Sequence, residues 1–176
     1  MTKTTMMTAL AMLTTALLGG VSALPSRIHV ERSRAVDASP EEIRPLLANY
    51  RQRHTWIPWT VTDPDARYSY SGTPGTVGST MSWVGDEVGE ATITLRRVTS
   101  REVVSDMHYD APLEMDTRDR FVLEPLADGR TRVTWINEGP ATGLVRVFAV
   151  FADGVIGPDY EAGLARLGRT LAERDE

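Results

Sequence analysis

Asp119 is the side chain of this sequence best placed to move a proton. It alternates with Phe121 and Leu123, so the three share one face of an extended segment. A carboxyl buried on such a face loses hydration, its pKa climbs, and it can give or take a proton near neutrality. Tyr109 and Asn137 fall on the same parity of neighbouring segments, where each could donate a hydrogen bond to a substrate carbonyl. These three are the catalytic candidates. The same carboxylate also has a structural use, as half of an ion pair with Arg97, Arg118 or Arg120, and pairing would hold it ionised.

Other chemistries are poorly provided for. His29 and His54 lack any metal-ligand spacing, and His108 alternates with Glu102 and Asp106 on a polar, exposed face. No metal site and no cofactor are expected. Gly75-Thr76-Val77-Gly78 precedes a strand rather than a helix, which leaves no helix N-terminus to hold a phosphate. There is no serine-hydrolase elbow, and the absence of cysteine removes thiolate chemistry. A net charge of −5, scattered arginines and a single lysine, Lys3, argue against a nucleic-acid partner.

The 176 residues suffice for one ordinary domain. Lys3, an uncharged apolar stretch from Met6 to Val21, and the small-x-small site Val21-Ser22-Ala23 have the layout of a secretory signal peptide over residues 1–23. Export, periplasmic or secreted, is the expectation. An uncleaved anchor formed by residues 6–23, with membrane association through it, is the alternative.

Beyond that segment, Ile28 to Val36 alternates as a first strand. Ser39, Pro40 and Glu42 then supply an N-cap, a proline at the first helical position and a capping box. Pro45 predicts two short helical pieces, ending near Tyr50, rather than one rod. Trp56 and Trp59 flank Ile57-Pro58. Proline disfavours helix for the residue before it, so this stretch is expected to be extended, with both indoles on one face.

From Arg67 the period becomes two: Tyr68/Tyr70, Val77/Met81/Trp83, Ala91/Ile93/Leu95, Val103/Met107/Tyr109, Phe121/Leu123 and Val133/Trp135. Ala127-Asp128-Gly129-Arg130 supplies a hairpin turn. Helical spacing returns with a stripe of Leu144, Phe148, Phe151 and Val155, then Tyr160, Leu164, Leu167 and Leu171, with a kink or restart expected at Gly157-Pro158. The predicted class is α+β: a curved antiparallel sheet of six to seven strands around a long C-terminal helix, with two short helices after the first strand, over residues 27–172.

The segments WIPW (56–59) with Asp63-Pro64, GTVGSTMSWVG (75–85), DGRTRVTW (128–135) and IGPDYEAGLARL (156–167) carry a resemblance. In order and spacing they resemble the polyketide cyclase/dehydratase-like branch of the SRPBCC superfamily. Its helix-grip fold is shared with START lipid-transfer domains and birch-pollen-type allergens. The resemblance implies a cavity between sheet and terminal helix for a small apolar or lipid-like molecule. Trp56 and Trp59 would close its mouth or else fill the open edge of the core. Tyr70, Trp83, Ile93, Leu95, Met107, Tyr109, Thr117, Phe121, Trp135, Phe148 and Phe151 would face the ligand, with Met115 and Ser105 on the same inner faces. Those residues could instead pack solidly and leave no hole. Three functions follow: a carrier of a hydrophobic ligand, a cyclase or dehydratase using Asp119 with Tyr109 or Asn137, and a module that binds a protein partner. The carrier is favoured, because Asp119 is a lone acid with no second ionisable group at a fixed offset.

Overall fold

A computed structural model of the chain describes residues 23–174, so the 1–23 leader or anchor lies almost wholly outside the described residues. Strand β1 (Arg27–Val36) leads into helix α1 (Pro40–Ala48). The start of α1 follows its local chemistry: the Glu42 amide donates to Ser39 Oγ, and the Ser39 amide returns a 2.7 Å bond to the Glu42 carboxylate. Pro45 does not end the helix. Its missing N–H would have bonded the carbonyl of exposed Glu41, in the first turn, where water can substitute. The break falls instead at Asn49, which leaves α1 in an extended conformation and caps a second piece, α2 (Tyr50–Arg53), by accepting from the Arg51 amide.

The Trp56–Trp59 segment is not extended. The Trp56 and Ile57 amides both bond to the Arg53 carbonyl, and Trp56 Nε1 donates 3.1 Å to the Leu46 carbonyl, which folds the chain back under α1. Pro58, at φ −69° and ψ −35°, then opens the single-turn helix α3 (Trp59–Thr62). The two indoles consequently part company: Trp56 is fully buried, whereas Trp59 keeps one side open.

Six further strands complete the sheet: β2 (Arg67–Ser71), β3 (Thr80–Gly85), β4 (Gly89–Val98), β5 (Glu102–Ala111), β6 (Met115–Pro125) and β7 (Thr131–Pro140). All pairings are antiparallel, in the spatial order β1-β7-β6-β5-β4-β3-β2. Register shifts in β4, at Glu90/Ala91 and Leu95/Arg97, are the kind of irregularity that bends a strand. Val77 lies in the exposed loop before β3, not in the strand. Gly129 takes φ +87° in the predicted turn between β6 and β7.

Helix α4 (Val145–Ala172) runs unbroken through Gly157-Pro158. Arg32 of β1 crosses it at Gly157, bonding Asp153 and Glu161 at 2.7 Å each, and any side chain at Gly157 would collide with the guanidinium. Farther along, Gly163 lets the helix approach the sheet: a Cβ there would stand 2.8 Å from the Trp135 ring. The packed face carries Val145, Ala152, Tyr160, Leu164, Leu167 and Leu171. The expected Leu144/Phe151/Val155 stripe is displaced from it, and those side chains are 73%, 61% and 61% exposed. Residues 144–156 are apolar on nearly every side of the helix, so spacing alone could not select the buried face.

Candidate functional site

The inner face of the sheet carries the predicted parity, and on it Asp119 is buried at 1% exposure. Its partner is Arg53 of α2, fully buried, with Nη2 donating 2.8 Å to one carboxylate oxygen; Trp135 Nε1 donates 2.6 Å to the other. Arg97 and Arg118 bond Glu102 and Asp106 on the outer face, and Arg120 lies 3.7 Å from Glu102. None of the three predicted arginines meets Asp119: Arg118 and Arg120 adjoin it in the strand and point to the opposite face, and Arg97 lies in β4 beyond the register shift between Leu95 and Arg97. The Arg53 guanidinium also lies over the rings of Phe121, Trp135 and Trp56, at 4.8, 5.4 and 6.0 Å.

Trp135 is the hub of this cluster. Tyr160 of α4 stacks on it at 3.8 Å with 5° between the planes, Phe121 lies 4.9 Å away, and Trp56 and Trp59 approach within 5.6 and 5.9 Å. With Ile93 and Leu95, the residues Trp56, Phe121 and Trp135 form solid core rather than a ligand wall. Nearby polar side chains satisfy one another: Tyr50 donates 2.9 Å to Ser105, and Asn137 donates 3.0 Å to Thr117.

A cavity of about 340 Å³ opens between α4 and the sheet, beside this core. Of the predicted residues it brings together Trp59, Trp83, Met107, Tyr109 and Phe148, with Met115. It does not include Asp119, Asn137 or Thr117. Tyr70 lies elsewhere, under the Arg51 guanidinium at 4.6 Å, and Phe151 faces outward. Two aromatic walls owe their placement to Asp63, which follows α3 and accepts from the Glu87 and Val88 amides at 2.9 and 3.4 Å. That clamp fastens α3 to the β3–β4 turn and sets Trp59 6.0 Å from Trp83, while the stack on Trp135 fixes Tyr160.

Sequence reasoning missed Val88, Leu113, Ile156 and Tyr160, and the carboxylates Glu87 and Asp159, all of which line the cavity. Val88, Glu87 and Leu113 belong to turns, where no periodicity marks them; Tyr160 was visible as a member of the helical stripe. Burial pushes the Tyr109 and Tyr160 phenols well above their ordinary range, so both remain protonated hydrogen-bond donors and neither serves as a base near neutrality. A larger hollow of about 510 Å³ lies on the outer sheet face, but its charged side chains are engaged with one another, Arg96 and Arg118 with Asp106 and Arg27 with Glu138.

Arg53→Met should cost about 3–5 kcal/mol in urea unfolding, because it strands a buried carboxylate. Adding Asp119→Asn should recover part of that loss, so the double variant is less destabilised than the sum of the singles. A cost within about 0.5 kcal/mol, as for a surface substitution, would contradict the pairing.

The family model described as polyketide cyclase / dehydrase and lipid transport matches residues 27–172. No curated protein matches the sequence. Among solved structures, a protein from Mesorhizobium loti superposes with a TM-score of 0.62 at 14% identity, covering 84% of this chain and 98% of that one. Ara h 8.0201 gives 0.60 at 11% identity, with 83% and 99% covered, and a Thermobifida fusca protein gives 0.59 at 21% identity, with 80% and 93% covered. At such identities the likeness speaks for the fold alone. With the family match spanning the whole sheet and its helix, the chain belongs to the polyketide cyclase/dehydrase and lipid-transport family and has the SRPBCC helix-grip fold.

Proposed function

We propose that this protein binds a small, largely apolar molecule in the cavity between α4 and the sheet, and carries it without changing it. The observation that supports this most is the make-up of the site. About 340 Å³ of space, within the range of small-molecule pockets, is walled by Trp59, Trp83, Met107, Met115, Phe148 and Ile156, with phenols as orienting donors. A cyclase or dehydratase reading has lost its expected base: both oxygens of Asp119 are occupied by Arg53 and Trp135, behind the cavity rather than in it. A hydrophobic cargo also suits the family's description, which includes lipid transport. The place of action proposed is outside the cytoplasm. That part rests on the signal-like residues 1–23 alone.

The two neighbouring tryptophans separate binding from packing. With the neutral fluorophore N-phenyl-1-naphthylamine as probe, Trp59→Ala should weaken binding and speed release with a modest loss of stability. Trp56→Ala should cost about 3–5 kcal/mol of stability, the usual consequence of truncating a fully buried tryptophan. Saturable probe binding that is indifferent to Trp59 would sink the assignment of this cavity. For location, the native mass of protein recovered from an extracytoplasmic fraction should correspond to a chain beginning at Leu24; an intact Met1 in the membrane pellet would favour the anchored alternative.

A further inference from the structure

The cavity has a charge character that its apolar walls conceal. Apart from the two phenols, the only ionisable side chains that line it among the described residues are Glu87 and Asp159, and no described arginine or histidine reaches it. Both carboxylates are exposed, as are Thr62, Pro112 and Val155, whereas Trp83, Met107 and Tyr160 are buried. The acids therefore stand at the mouth and the greasy surface forms the floor. Neither has an ion-pair partner among the described residues, in contrast to Asp106, Glu102, Glu138 and Asp153, which are matched by arginines. Behind the mouth, Asp63 adds a third carboxylate, held by two backbone amides and, among the described residues, paired with no cation. The one guanidinium that the cavity phenols sense, Arg53, is matched by Asp119.

An anionic amphiphile would bring a carboxylate or phosphate against Glu87 and Asp159 with no donor cation to receive it. A positive head group meets the opposite situation. It would find two carboxylates at the mouth and, in the same lining, the aromatic rings of Trp59, Trp83 and Phe148, whose attraction for cations offsets part of an ammonium's desolvation where aliphatic walls would not. We infer that the preferred occupant is a cationic amphiphile, an apolar body carrying an amine or quaternary ammonium at the end that meets Glu87 and Asp159. This inference rests on the carrier reading and adds the charge of the cargo to it. Asp159 is consistent with it: partial desolvation at the apolar rim raises its pKa above the ordinary aspartate value, as happens to an acid that lacks a nearby cation.

Three probes with one twelve-carbon chain test it, each displacing N-phenyl-1-naphthylamine from the intact protein at neutral pH and below its micellar concentration. Dodecyltrimethylammonium should bind about tenfold or more tightly than dodecanol, and dodecanol more tightly than dodecanoate. The advantage of the cation over the alcohol should shrink as salt is added, and shrink to about twofold in the Glu87→Gln, Asp159→Asn double variant, since exposed carboxylates are screened and removable. Asp159→Lys should move the order toward dodecanoate. Alcohol binding as tight as the cation, or dodecanoate binding best to the unaltered protein, would overturn the charge assignment and leave the carrier reading standing. A bound probe that none of the three displaces would likewise overturn the charge assignment, and failure of N-phenyl-1-naphthylamine itself to bind would overturn the carrier reading.

Discussion

A carboxylate in the middle of a sheet must be compensated, and Asp119 determines much of what surrounds it. Removing such a group from water costs several kcal/mol unless a cation and hydrogen-bond donors meet it. Arg53 and Trp135 do so, one oxygen each. For Arg53 to arrive there, the chain after α1 must restart at Asn49 and fold back over the sheet. The Trp135 ring that donates to Asp119 is also the platform on which Tyr160 from the terminal helix and Phe121 from the neighbouring strand rest. Gly163 completes the arrangement by letting α4 close to within contact of the same ring. One polar contact thus joins α2, the sheet and α4, and leaves the aromatic core solid on one side and the cavity open on the other.

The sheet, its inner parity, the capping box at Ser39 and the turn at Gly129 were legible in the sequence because each is encoded within a few residues. Alternation and a cap need no information from elsewhere in the chain. Arg53 was not legible. A cation in the run Tyr50-Arg51-Gln52-Arg53 has the local look of a solvated helix end, and its burial is imposed by a carboxylate 66 residues away. The Trp56–Trp59 segment misled for a related reason: the rule for a residue before proline is local, whereas the bonds of Trp56 and Ile57 to Arg53 and of the Trp56 indole to Leu46 gather the chain into a turn. In α4, residues 144–156 offered apolar side chains in every direction, so the buried face was decided by the sheet. The cavity was half legible. Its walls on strands carried a period; its rim, built from turns, carried none.

The same core restricts the chemistry available. Asp119 is tied to two donors outside the cavity lining, and burial keeps Tyr109 and Tyr160 protonated, so neither phenol is a base near neutrality. An apolar space with aromatic walls and carboxylates at its entrance is the arrangement on which the proposed binding function rests. The Asp63 clamp matters here because it holds Trp59 and Trp83 in place before any ligand arrives, and walls already ordered cost less of the binding energy than walls ordered by the ligand.

Methionine methyl groups offer the most direct view of whether this space is a binding site. Within the described residues the chain has three methionines: Met107 and Met115 line the cavity, while Met81 is fully buried in the core and does not. With carbon-13-labelled methyls followed by NMR during titration of a neutral apolar probe, the Met107 and Met115 resonances should shift saturably and together, with the Met81 resonance staying in place. Saturable binding with Met107 and Met115 unmoved, or a shift of Met81 equal to theirs, would contradict a ligand cavity at this position.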